Sequence, residues 1–477
     1  MDQTHPLASI RHFLVGDRAF YRRTISILIP IIIQDTVTNV VNLLDNVMVG
    51  QVGTLQMSAV AIVNQLLFIF NLCIFGGLAG AGIFSTQFAG AQDYDGVRHC
   101  FRVKWIIGLA MFGIAAVVFT AAPGQLVSLY LAEGTEAQAA ADTLRYGLDY
   151  FRIMVVGLLP FAISQVYAST LREMGETKLP MFAGVTAILV NLVFNYLLIF
   201  GHGGFPKMGV VGAAAATVLS RFVELAIVVC FTHMHSARFP FIQKVYHSFH
   251  IPVSLLLNVA RRGLPLLVNE FLWSAGMAML TQCYSVRGLQ VVAAFNIAST
   301  VGNLFNVMYI STGGAVAIMV GQALGAGEPD QARDTAWRLI AFSVEIGIVM
   351  GAVMALFSPL VPKIYNTEPE VRQMATEFLY VVCIMMPFYA FSHDCYFTLR
   401  SGGRTIITFL FDSAFTWAVN VPLAFCLANF TSLPIVPLYF LVQATECLKC
   451  LVGGIMVKKG IWIRNIISAE KGSPQEE

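Results

Sequence analysis

The first long apolar segment of the chain carries a series of polar side chains that recur every three or four residues. The series consists of Asp35, Thr38, Asn39, Asn42, Asp45 and Asn46. This spacing places them along one face of a helix. A charged group in hydrocarbon costs at least about 2.5–3.5 kcal/mol, so this face must look towards protein or water. An interhelical hydrogen-bond ladder would use such a face too, but two carboxylates exceed what packing needs.

Asp45 lies near one end of this segment and has polar counterparts elsewhere in the chain. Asn191 and Asn195 stand one helical turn apart in a later apolar segment, and Thr217 lies in the next one. A carboxylate among amide and hydroxyl oxygens suits a small hard cation such as sodium, whereas burial of a carboxyl group favours proton uptake. The sequence therefore predicts an ion site at these residues and leaves both ions open.

The second half of the chain has secondary candidates of the same types. Glu270 lies in one apolar segment, and Asn296 and Asn303 belong to a polar stripe in the next. Glu446 and Lys449 are three residues apart, and this spacing predicts an ion pair within one helix.

Two further acids lie close in sequence to basic residues. Asp394 and Asp412 flank Arg400 and Arg404. A local ion pair with one of these arginines is therefore an alternative to a role in ion binding for either acid.

These residues lie in a chain that is too apolar to be soluble. Of its 477 residues 57% are hydrophobic and 12% charged, and the mean hydropathy is +0.72. Soluble domains carry about a quarter charged residues. The apolar runs are continuous rather than alternating, which indicates an all-α polytopic membrane protein rather than a barrel. The predicted spans are 24–49, 58–84, 103–123, 146–170, 180–200, 209–232, 263–284, 291–320, 336–358, 375–398, 406–428 and 435–457.

Charge placement predicts the orientation of these spans. Lys and Arg concentrate on the side of both termini, which the positive-inside rule assigns to the cytoplasm of a plasma membrane of bacterial type. The amino-terminal residues do not resemble a cleaved signal peptide. The net charge of +2 is too small to indicate a nucleic-acid partner. The expected organisation is a cytoplasmic segment (1–23), an N-lobe of helices 1–6 (24–232), a cytoplasmic linker (233–262), a C-lobe of helices 7–12 (263–457) and a cytoplasmic tail (458–477).

The two halves of the chain repeat the same few sequence motifs. Pro30 is followed 235 residues later by Pro265, and the Gln87-x-x-Gly90-Ala91 motif by Gln322-x-x-Gly325-Ala326 at the same offset. By this repeat Glu270 answers Asp35. Asn64 and Asn71 are matched with Asn296 and Asn303 at an offset of 232, which implies a loop deletion. A duplicated membrane chain builds two similar lobes with a ligand cleft between them, which is typical of a transporter.

Other classes of function lack their motifs. The sequence contains no Walker motif and no clustered His/Asp or Ser/His arrangement at a membrane face, so we expect neither ATP hydrolysis nor another enzyme activity. Cys447 and Cys450 form the only close cysteine pair, and no second pair completes a zinc site. We therefore expect no cofactor and no metal beyond a sodium ion at Asp45.

The chain resembles the multidrug and toxic compound extrusion (MATE) family over about residues 20–460. The residues that carry the resemblance are Pro30, Leu44 to Gly50, Gln87, Gly90-Ala91, Leu171-Arg172, Gly175-Glu176-Thr177, Pro180, Asn191, Asn195 to Gly201, Gly263-Leu264-Pro265, Ala293 to Asn296, and Leu399 to Gly403. Their order across the two halves is more specific than any one of them.

The resemblance implies two pseudo-symmetric six-helix bundles around a central cleft. It also implies export of amphipathic, often cationic drugs or toxic metabolites in exchange for sodium ions or protons, by a functional monomer. Asp45 matches the helix-1 acid of the family, and Asn191, Asn195 and Thr217 match its neighbours. Some relatives have Asp at the position of Asn195, and one branch carries its helix-7 acid at the position of Trp273, so Glu270 is a displaced equivalent. The alternative is a lipid-linked precursor flippase or another solute exporter of the same superfamily.

Overall fold

A computed structural model describes residues 16–128, 137–248, 250–365 and 367–468. Within these ranges every regular element is a helix. Eleven of the described helices are long and apolar enough to cross a membrane, and a pair bent by 44° forms a twelfth span if it is counted as one. All twelve segments predicted from the sequence thus correspond to helices, although most of the helices extend further at both ends.

The helices fall into two compact units. The N-unit comprises Ile33–Ser85 and Asp93–Leu257, and the C-unit comprises the described residues of Met1–Ile32, Thr86–Gln92 and Asn258–Glu477. The first helices of the chain are α1 (Arg18–Gly50), α2 (Thr54–Gly90), α3 (Tyr94–Ala121), α4 (Pro123–Ser128), α5 (Ala137–Val156), α6 (Leu158–Glu173), α7 (Lys178–Phe200) and α8 (Val210–Met234). The beginning of α1 and the end of α2 thus belong to the C-unit.

The second half continues with α9 (Val253–Ser285), α10 (Leu289–Gly325), α11 (Pro329–Phe357), α12 (Pro369–Ser401), α13 (Thr405–Phe430) and α14 (Ile435–Lys458). Short 3-10 turns occur at Pro240–Ile242 and Val361–Ile364. Helix α9 begins ten residues before the predicted start of the C-lobe at residue 263.

The helices reproduce the sequence repeat. Helices α1 and α9 both have 33 residues with one internal proline at the same position, and α2 and α10 both have 37 residues. Helices α9, α10 and α11 start 235 residues after α1, α2 and α3, respectively, so no deletion lies within this part of the repeat. The match of Asn64 with Asn296 and of Asn71 with Asn303 was therefore wrong, and Asn71 corresponds to Asn306.

In the N-unit, α7 and α8 form a close hairpin. A Cβ atom at Gly212 would lie 2.7 Å from the Leu198 carbonyl oxygen, so only glycine permits this approach. The segment between α8 and α9 is tied to α3, because Arg102 donates hydrogen bonds to the backbone carbonyls of Val245 and His250 at 3.0 Å each. These contacts give the N-unit a rigid frame around its polar interior.

In the C-unit, two glycines of the repeated motif let backbones meet. A Cβ atom at Gly325 would lie 1.9 Å from the carbonyl oxygen of Gln87, and one at Gly90 would lie 2.0 Å from that of Gln322. The Gln87 side chain is fully buried and accepts a hydrogen bond from the Ile466 amide at 2.8 Å. The repeated motif thus serves close packing of helix ends.

Helix α13 departs from regular α geometry. Leu410–Ala414 and Thr416–Asn420 adopt π-helical turns. Such turns insert a residue into the helix and change the direction of the side chains beside them, and they often occur at functional sites. Asp412 lies within the first of these turns.

Candidate functional site

Helices α1 and α7 bring Asp45 to the two asparagines. Gln34 of α1 lies against Gly184, where a Cβ atom would be 2.8 Å from its amide nitrogen. Eleven residues further along both helices, about three turns, Asn195 Nδ2 donates a hydrogen bond to Asp45 Oδ1 at 2.7 Å. The two helices therefore run in parallel, and their register places the acid against the buried amide.

The Asn191 side chain lies between Asp45 and Thr217, and its amide is best satisfied with the nitrogen towards the acid, although the reverse orientation also forms hydrogen bonds. With the nitrogen towards the acid, it lies 2.9 Å from Asp45 Oδ2, and the oxygen accepts from Thr217 Oγ1 at 3.1 Å. With the oxygen towards the acid, Asn195 Nδ2 donates to it at 3.2 Å and its own nitrogen donates to Thr217.

The two orientations of the Asn191 amide require different charges on the carboxyl group of Asp45. Two amide nitrogens suit a bare carboxylate, because both donate to its oxygens. An amide oxygen 2.9 Å from a carboxylate oxygen is repelled unless a proton or a cation lies between them. The Thr217 hydroxyl follows the change, since it donates to the Ala213 carbonyl at 3.0 Å when it accepts from Asn191. Asp45, Asn195, Asn191 and Thr217 therefore form a hydrogen-bond relay, whose donors and acceptors depend on the charge of the acid.

The relay extends to a residue that the sequence reasoning missed. The buried Tyr150 hydroxyl donates to Asn64 Oδ1 at 3.1 Å, lies near Thr217, and interacts electrostatically with Asp45 and Arg221. The sequence offered only two signals for this contact. Tyr146 lies four residues before Tyr150, and Arg221 lies four residues after Thr217. Tyr150 thereby connects α5 and α2 to the surroundings of Asp45 and Thr217.

The other candidates of the first segment lie apart from this relay or on its edge. Asp35 belongs to a second group of charges, in which Arg172 interacts electrostatically with Asp35, Glu224 and Glu173. Asn42 is exposed and Asn39 is partly buried. Asp45 is thus the acid of the first segment that contacts the asparagines of α7.

The C-unit contains an ion-pair network of its own. Lys449 Nζ lies 3.4 Å from Glu446 Oε1, which confirms the predicted pair within one helix, and 3.3 Å from Asp412 Oδ1. The alternative pairing of Asp412 with Arg400 or Arg404 was wrong, because this acid pairs with Lys449 of α14. Asp412 Oδ2 also accepts from Asn269 at 3.2 Å.

The remaining second-half candidates are dispersed. Glu270 Oε1 lies 3.9 Å from Arg400, and the fully buried Asp394 accepts from the Thr312 hydroxyl at 2.9 Å. A surface pair of Asp394 with arginine was therefore wrong. Asn296 and Asn303 are exposed on α10. The described residues contain no group of three or more His, Cys, Asp or Glu side chains arranged to hold a metal ion.

Comparison with known proteins places these features in a family. The sequence profile of the MatE family matches residues 30–197 and 265–426. The chain is 23% identical to "Probable multidrug resistance protein NorM" of Thermotoga maritima, with 86% of each chain covered. It is 25% identical to the protein of the same name from Halalkalibacterium halodurans, covering 85% of this chain and 87% of that one.

A solved structure shares the fold. "Outward-facing conformation of a multidrug resistance MATE family transporter of the MOP superfamily" superimposes with a TM-score of 0.82 at 20% identity, over 97% of this chain and 99% of that one. The family profile spans well over half of the chain in two matching segments, one in each half, and the fold agrees with it. The chain therefore belongs to the MATE family of membrane transporters.

Proposed function

We propose that this chain is a secondary active antiporter that exports amphipathic, often cationic drugs or toxic metabolites in exchange for sodium ions or protons. The observation that carries the proposal is the contact of Asp45 with Asn195 and Asn191 inside a membrane-spanning unit. The multidrug resistance names of the relatives support the class of cargo. The coupling ion is a substrate of this site, and no further cofactor is needed.

The relay at Asn191 supplies the difference between two states that coupling requires. In the ion-free state, two amide nitrogens donate hydrogen bonds to the carboxylate of Asp45 and stabilise its charge. When a proton or a cation binds, the amide of Asn191 turns and the Thr217 hydroxyl changes its acceptor. A ligand shifts a conformational equilibrium only through its different affinity for the two states. When this amide turns, ion binding at Asp45 on α1 changes the hydrogen bonds of Asn191 on α7 and Thr217 on α8. This change is the first step of alternating access.

Placement in the membrane follows from the charges at the helix ends. We propose that both termini are cytoplasmic, because Arg22 and Arg23 precede the apolar part of α1 and Lys458 and Lys459 lie at the end of α14. The functional unit is one chain in the inner membrane. Each lobe predicted from the sequence, 24–232 and 263–457, then contributes six spans to one transporter.

The decisive experiment measures ethidium efflux from proteoliposomes under imposed sodium or proton gradients. Wild type exports ethidium when the coupling ion flows inwards, and Asp45→Asn does not, although it folds. The matched control is Asp95→Asn, because Asp95 is an exposed acid of the same unit whose side chain is 75% accessible. Wild-type efflux by Asp45→Asn would reject the role of this acid. Ethidium retention by wild type, together with movement of lipid-linked substrates, would favour a flippase.

A further inference from the structure

The span formed by α5 and α6 is broken at Gly157. The helices on either side, Ala137–Val156 and Leu158–Glu173, meet at 44°. Pro160 explains the break, since it has no N–H for the Val156 carbonyl and its ring clashes with that group. The Gly157 N–H bonds instead to the Met154 carbonyl at 3.0 Å.

Arg221 of α8 holds this break directly. Its guanidinium donates a hydrogen bond to the Gly157 carbonyl oxygen at 3.1 Å and lies 5.0 Å from the centre of the Phe161 ring. A Cβ atom at Gly157 would lie 3.0 Å from Val218 and 3.2 Å from the Arg221 side chain. An arginine within a span is costly and marks a function by default, and here its contacts converge on one bend.

The bend controls where Tyr150 lies. Tyr150 precedes Gly157 by seven residues, which is a lever of about 10 Å at 1.5 Å per residue. A change of about 10° at the break would therefore move its hydroxyl by about 2 Å, enough to lose a hydrogen bond. That hydroxyl donates to Asn64 at 3.1 Å and lies near Thr217, which is one turn from Arg221 on α8.

We propose that Arg221 is a positioning residue for ion coupling, which fixes the bend at Gly157 and thereby holds Tyr150 at the Thr217 end of the relay. The proposal rests on the proposed function of the Asp45 site. Arg221 itself touches neither ion nor drug. It acts through the angle between α5 and α6 and through its electrostatic interaction with Tyr150, so its effect on transport requires the Tyr150 hydroxyl.

A double-mutant cycle tests this dependence. Ethidium efflux is measured in proteoliposomes for Arg221→Met, Tyr150→Phe and the double variant. Each single variant is expected to lower the maximal rate about fivefold to tenfold, as for one lost hydrogen bond, with little change in KM. The double variant is expected to be no slower than either single variant. Effects that multiply in the double variant, or a wild-type rate for Arg221→Met, would overturn the proposal.

The controls separate folding, positioning and ion coupling. Arg152→Met is the matched control, because the Arg152 side chain on α5 is 73% accessible. If Arg221→Met does not fold, Arg221→Lys replaces it in the same cycle, since an ammonium keeps the charge but lacks the planar fork. Asp45→Asn is measured in parallel. If it is inactive while the cycle is multiplicative, only the positioning role is lost, whereas an active Asp45→Asn rejects the proposed function itself.

Discussion

Replacing Asn195 with leucine should make the site bind its coupling ion more tightly and release it more slowly. Asn195 Nδ2 donates to Asp45 Oδ1 at 2.7 Å and so stabilises the ion-free carboxylate. A hydrogen bond to a charged group contributes about 1.5–3 kcal/mol. Because 1.4 kcal/mol corresponds to a factor of ten, its loss should shift the equilibrium towards the ion-loaded form by about 10- to 150-fold.

The substitution should leave the fold intact. Asn195 is 1% exposed, and its Oδ1 atom is a buried acceptor that has no hydrogen-bond partner within the described ranges. Removing an unsatisfied polar atom relieves about 1–3 kcal/mol, which offsets much of the lost hydrogen bond. Leucine also has the same branched heavy-atom skeleton as asparagine, although its two methyl groups are bulkier. Any change in transport will therefore report on the site rather than on unfolding.

Ethidium efflux measured as a function of cation concentration provides the assay. Asn195→Leu is expected to lower the concentration that gives half-maximal efflux and to reduce the maximal rate, because release becomes slower. The control is Asn429→Leu, which removes an exposed amide. A half-maximal concentration that is unchanged would refute the donor role. A raised concentration would show that Asn195 turns its oxygen to the ion and acts as a ligand.

Two further predictions concern packing and charge burial, and both are measured as the thermal unfolding midpoint in detergent. Gly325→Ala should lower the midpoint or prevent folding, because its Cβ atom would lie 1.9 Å from the Gln87 carbonyl oxygen. Gly113→Ala is the control and should leave the midpoint unchanged, since no atom lies within 4 Å of its Cβ atom. Equal midpoints for the two variants would contradict the close contact. Lys104→Met should cost about 3–5 kcal/mol, since Lys104 is fully buried and bonds to Glu173 at 2.7 Å. Adding Glu173→Gln should restore most of the loss, and no recovery would argue against the pair.

The repeat and the spans could be read from the sequence because they depend on local composition. Continuous apolar runs of span length mark membrane helices wherever they occur in a chain. The prolines at positions 30 and 265 predicted that the halves match, and the helix lengths of 33 and 37 residues in each half agree with this. The supposed deletion near Asn296 was wrong because scattered asparagines are weaker markers of register than helix ends.

The polar relay was only partly predictable. Four polar residues stand out in otherwise apolar segments, and the structure brings them together in the N-unit. They are Asp45, Asn191, Asn195 and Thr217. Tyr150 offered no comparable signal, since a tyrosine in a span packs against apolar neighbours more often than it joins a relay.

Ion-pair partners and bends were decided by the tertiary structure. Lys449 of α14 rather than a neighbouring arginine pairs with Asp412, which lies in a π-helical turn. Pro160 predicts a kink by itself, but only the packing of α8 places Arg221 on the Gly157 carbonyl. Helical periodicity determines which side chains share a face. Which faces meet, and at what angle, depends on contacts between segments far apart in the chain.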